Sequence, residues 1–166
     1  MKLIGETEID EVLGKLEALN KNPFDYLFDQ LDKEQPAIVD YLYEVEGEEL
    51  NEDERDLLIN FTTLGWHIVK ELSEKSERVS PDYLDECLEK NIALLEEQEG
   101  REDEELDESL LDIFSEINEQ PVLIGFLINL IVDRPEDYSG TVRDEMIPII
   151  ILHIKTVVDS LVTGQK

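Results

Sequence analysis

Residues 120–132 read QPVLIGFLINLIV, an apolar run whose length suits a buried helix and falls short of a bilayer span. An echo stands at residues 35–45, QPAIVDYLYEV, and a Glu-Gln-Pro triplet opens both, with Pro36 and Pro121 85 positions apart. Proline fits the first turn of a helix, where its missing N–H would have no partner, so each triplet marks a helix start. A helix that is apolar nearly all round has to be covered on every side. The rest of the chain must therefore supply that cover, or a second molecule must.

Helical spacing dominates elsewhere too. Val12, Leu13, Leu16 and Leu19, with a capping-box-like Thr7 and Asp10, predict a first helix over about Glu8 to Asn20. Asn22-Pro23 opens a second with Phe24, Leu27, Phe28 and Leu31 on its inner side. Gln35-Pro36 opens a third, which fades near Gly47. Asn51 and Glu54 cap a long fourth carrying Leu57, Leu58, Phe61, Leu64, Ile68 and Leu72. It ends in the polar segment SEKSERVS. Ser80-Pro81 starts a fifth with Leu84, Cys87, Leu88, Ile92 and Leu95 on one face.

Glu96 to Glu108 is a like-charge block, best read as a solvated connector. Leu110, Leu111, Ile113, Phe114 and Ile117 mark a sixth helix. The apolar run forms the seventh, closed by Asp133-Arg134-Pro135. An eighth is predicted from near Thr141, capped by Asp144, to about Val162, with Pro148 kinking it or weakening its first turns.

These signals predict an all-α protein of about eight helices in two related four-helix halves, 1–79 and 80–166, forming one globular domain. The alternative is a short α-solenoid of helix pairs. Between the halves, Leu57, Leu58, Phe61, Ile68 and Leu72 align with Met146, Ile147, Ile150, Val157 and Leu161. The differences run one way. Asp40 and Glu44 become Gly125 and Asn129, and Asn60 and Thr63 become Ile149 and Leu152. Gly125, Asn129, Ile149 and Leu152 are thus the candidate interaction residues, available to a homodimer or a protein partner. The competing reading makes the same two helices the centre of one monomeric bundle.

Composition narrows the function. The formal net charge is −29, from 43 acidic against 14 basic residues, which repels nucleic acid and anionic lipid. A hydrophobic fraction of 41% is too high for a disordered chain, so this charge belongs to the surface of a folded protein. Cys87 is the only cysteine, so no internal disulfide forms, and the amino-terminal residues lack a secretory apolar core. A cytoplasmic setting is the simplest expectation.

No catalytic, cofactor-binding or metal motif emerges. His67 and Glu71 lie four apart, but no zinc-type pattern completes them, and His153 reads as a core histidine. Cys87 and Trp66 read as core residues, and of Tyr41 and Tyr43 one should face inward. The acidic connectors lack the EF-hand order of ligands. No small-molecule ligand, cofactor, membrane contact or direct nucleic-acid contact is predicted. The reading is a non-enzymatic acidic helical protein that acts through protein contacts as an adaptor or regulator. Two alternatives stand beside it: an acidic mimic of nucleic acid that blocks a basic protein, and an enzyme whose site is assembled from distant residues.

Overall fold

A computed structural model describes residues 3–19, 23–45, 49–73, 77–97, 120–133 and 141–162. Among them the protein is all-helical, with seven α-helices packed on one another. They are α1 (Glu6–Glu17), α2 (Pro23–Glu34), α3 (Pro36–Glu44), α4 (Glu52–Leu72), α5 (Pro81–Glu97), α6 (Pro121–Val132) and α7 (Ile147–Val162). A 3-10 turn, Asp144–Met146, leads into α7. The expected sixth helix and most of the Glu96 to Glu108 connector lie outside the described residues. The seventh and eighth expected helices are α6 and α7.

Local chemistry explains the boundaries. At α4, Asn51 Oδ1 accepts from the Glu54 N–H at 2.8 Å and Glu54 Oε1 accepts from the Asn51 N–H at 2.9 Å, the reciprocal box read from the sequence. At α1 the helix starts earlier than expected. Gly5 is its N-cap and Glu8 reaches back to the Gly5 N–H at 3.4 Å, so Thr7 lies inside the first turn. The last helix differs in the opposite sense: α-helical structure begins at Ile147, not near Thr141. Pro148 is therefore its second residue, where no N–H is needed, and it starts the helix instead of kinking it.

Helices α4 and α7 lie against each other at the centre. α2 and α1 cover α4, α5 covers α7, α3 packs on α2 and α5, and α6 packs on α1, α4 and α7. That crowding explains why α4 is buried over a broader face than its aliphatic stripe predicts. Thr62, Thr63, Gly65, Trp66 and Val69 are inside along with Leu57, Leu58, Leu64 and Ile68. On α5 the inner face is rotated: Asn91 is 1% exposed while Ile92, expected inside, is 38% exposed. The partner that draws Asn91 inward is Lys155, described below.

Two glutamines hold the layers in a reciprocal way. Gln35 and Gln120 are the N-caps of α3 and α6, with nearly the same backbone angles (φ −134, ψ 64 and φ −129, ψ 68), and each is 1% exposed. Gln35 accepts from the Val79 N–H at 2.9 Å and donates to the Glu77 carbonyl at 2.9 Å, both just ahead of α5. Gln120 accepts from the Ile4 N–H at 2.8 Å, just ahead of α1. Each glutamine thus grips the lead-in to another helix, Gln35 that of α5 and Gln120 that of α1. Ile4 and Val79 are both buried, as are Ile9 and Leu84, and Val12 and Cys87, each pair 75 positions apart.

Candidate functional site

Three buried polar centres were not anticipated as such. In the first, Glu54 is wholly buried and receives Arg143 through its backbone N–H (2.8 Å), Nε (3.1 Å) and Nη2 (2.8 Å), a two-pronged clasp. Arg143 Nη2 also donates to the Glu49 carbonyl, and Asn51 Nδ2 donates to the Thr141 carbonyl at 2.8 Å. Burial alone would push the Glu54 carboxyl up, but the bonds from Arg143 and Asn51 outweigh it and bring the pKa below its ordinary value. The clasp ties the start of α4 to the residues leading into α7.

The second centre is a knot between α5 and α7. Lys155 Nζ, 3% exposed, donates to Asn91 Oδ1 and to Asp159 Oδ2, each at 2.7 Å. Asn91 Nδ2 in turn donates to Thr156 Oγ1 at 3.0 Å and Asp159 Oδ2 at 3.2 Å. Asp159 also helps burial push the Cys87 thiol up, so this buried sulfur stays protonated and packs as a small apolar group. In the third, Tyr41 Oη lies 2.8 Å from His153 Nδ1, and burial lowers the His153 imidazole to about 4. His153 is neutral at pH 7, and Tyr41 faces inward while Tyr43 faces out.

The seam beside Lys155, between α6 and α7, is lined by Ile124, Leu127, Ile128, Ile131, Ile151 and Ile154, with no room for a water molecule. His67 is half-buried and its pKa is lowered by burial, with Lys70 adding to the shift and Glu71 opposing it. No three His, Cys, Asp or Glu side chains converge to hold a metal ion among the described residues. Trp66 is 1% exposed, with Lys70 Nζ 5.1 Å from its ring centroid and 2.6 Å from Glu34.

Among the described residues an open groove of about 330 Å³ lies between α1 and α6. Val122, Gly125, Phe126 and Asn129 form one wall; Glu6, Ile9 and Asp10 form the other. Of the four residues singled out by comparing the halves, Gly125 and Asn129 come together here. Ile149 and Leu152 do not. Leu152 is 7% exposed and Ile149 packs half-buried on the core, so the chain's own helices cover both. For α7 the central-helix reading is the one the structure favours; α6 keeps an outer face.

Gly125 is unlike the other helical glycine of the core. A Cβ on Gly65 would stand 3.0 Å from Leu127 Cδ1 and 3.5 Å from Val158 Cγ2, so α4 packs closely on α6 there and a side chain at 65 would displace the end of Leu127. A Cβ on Gly125 would meet nothing within 4 Å among the described residues. A mid-helix glycine costs about 1 kcal/mol against alanine, and no internal contact explains that cost at Gly125. Gly14, on α1, is open in the same way and lies one turn beyond Asp10 on the Glu6–Asp10 side of the helix.

The acidic wall was missed because Glu6 and Asp10 are ordinary surface acids in one dimension. The Lys155–Asp159 pair, four apart inside an apolar helix, was a readable signal for the α5/α7 knot. No protein family, curated protein or solved structure matches the chain. No described helix is long and apolar enough to cross a membrane.

Proposed function

We propose that this is a non-enzymatic acidic helical protein that works by binding another protein, and that it is built as an approximate duplication. The observation that carries the first part is the α1/α6 groove, where Gly125 leaves room that no described side chain fills. Supporting the second part, Gln35 and Gln120 share backbone geometry, and each holds the lead-in to another helix, α5 and α1 respectively, as expected of two copies that pack against each other. In the first half the groove position carries Asp40 and Glu44, both exposed, which suit water; in the second it carries Gly125 and Asn129.

A cytoplasmic setting fits a lone buried thiol. Buried Glu54 and Lys155, each held by several hydrogen bonds, support a structural use of those charges.

The test is a pull-down from the source cell with the intact protein and with Gly125→Glu, each at low and high salt, alongside sedimentation equilibrium at micromolar concentration. The expected result is a monomer that captures a defined partner and loses it on Gly125→Glu. Equal capture by both proteins overturns the role of the groove. A dimer dissociated by Gly125→Glu would assign the groove to self-association instead.

A further inference from the structure

Resting on the interaction reading above, we infer that the α1/α6 groove takes an amphipathic helix from a basic protein, with an apolar side chain over Gly125 and Lys or Arg facing Glu6 and Asp10.

Three observations choose this occupant. The first is apolar surface. Among the described residues seven large hydrophobic side chains are exposed, and four of them, Leu3, Leu19, Val122 and Val132, belong to α1, α6 or the residues flanking them. Of these Val122 lines the groove itself, together with the apolar Ile9 and Phe126. An apolar anchor flanked by a polar rim is the usual anatomy of a protein-binding site.

The second is backbone chemistry. No strand edge exists among the described residues, and the N–H and C=O groups along α1 and α6 are used within the helices. An extended segment would find no ladder to join, whereas a helix satisfies its own backbone and needs only side-chain pockets. Val122, Gly125 and Asn129 recur at helical spacing along α6, and the glycine lets a second helix come close.

The third is charge. The carboxylates of Glu6 and Asp10, one turn apart, have no hydrogen bond or ion pair among the described residues, and both residues line the groove of a protein of net charge −29. A basic segment gains on approach and on docking. A second copy would not, since an isologous contact here sets Glu6 and Asp10 against their own counterparts.

The probe is a fluorescein-labelled synthetic helix of roughly five turns, with Leu on one face and Lys on the other, and anisotropy is read at an ionic strength of about 0.15 M. The intact protein should bind it. Affinity should fall about tenfold with Gly125→Leu, which fills the space, and with the pair Glu6→Gln and Asp10→Asn. It should hold with Asp29→Asn and Glu86→Gln, which remove two exposed acids of α2 and α5. Val122→Lys, at an exposed position, gives the same test if Gly125→Leu fails to fold. Equal loss with the control pair means diffuse charge attraction and overturns the inference. So does unchanged binding to both Gly125→Leu and Val122→Lys, or no binding by the intact protein. Binding that survives the groove variants, with amide shifts perturbed elsewhere, overturns the groove while leaving the interaction reading in place.

Discussion

At the scale of single residues, the buried charges decide how stability responds to pH. His153 has an ordinary pKa of 6.5 and a folded value of about 4. Between those values the unfolded chain binds a proton that the native one refuses, so this residue's stability contribution is intact above pH 6.5 and declines as pH falls toward 4. The loss between pH 7 and 5 should be about 2 kcal/mol. Urea titrations of the intact protein and of His153→Leu, compared at the two pH values, isolate it: the difference between the proteins should shift by that amount, and a constant difference refutes the burial argument. Glu54 acts in a lower window. Its folded pKa lies below the ordinary 4.5, so its contribution is present above that value and disappears only as pH falls through the folded pKa. Replacing it with leucine removes the acceptor for Arg143 and the N3 half of the α4 cap, at a cost of roughly 3 kcal/mol by denaturant titration at pH 7.

Among elements, the two glycines make opposite predictions. Gly125→Ala should stabilise by about 1 kcal/mol, because helix propensity is gained and the new methyl meets open space. Gly65→Ala should not: its methyl presses on the end of Leu127, and overpacking of roughly 1 kcal/mol or more offsets or exceeds the gain. A shift of both denaturation midpoints in the same direction would remove the packing distinction between α4 and α6. The same elements show what could be read from sequence. Proline and asparagine caps fixed the starts of α2, α3, α4, α5 and α6, since capping is a local affair of four residues. Burial was harder to read. Asn91 lies inside and Ile92 outside because Lys155 and Asp159, 64 or more positions away, reward the amide. Likewise Gly125 and Asn129 stood out by comparison with Asp40 and Glu44, whereas the acidic wall opposite them depends on how α1 is laid beside α6. That placement is set by the hydrogen bond from Ile4 to Gln120, 116 positions apart, which no local pattern encodes.

For the whole molecule, the hydrogen bonds of Gln35 and Gln120 predict that the two proposed halves unfold as a single thermodynamic unit. If each half were sufficient to itself, an injury to one would leave the other's transition in place. Here the cap of α6 holds the lead-in to α1, and the cap of α3 holds the lead-in to α5, while α4 and α7 share one interface. Gln120→Ala leaves the buried Ile4 N–H without its acceptor, a loss of about 1–3 kcal/mol. The protein has one tryptophan, Trp66, buried in α4 of the first half, so its fluorescence reports on the half that does not contain Gln120. Fluorescence and far-ultraviolet dichroism should give coincident urea transitions for the intact protein, and Gln120→Ala should lower both midpoints equally. A Trp66 transition that stays in place while the dichroism splits into two steps would show halves that fold separately. The reciprocal grip would then be a contact between finished domains, and the duplication would have to be argued from the Glu-Gln-Pro triplets alone.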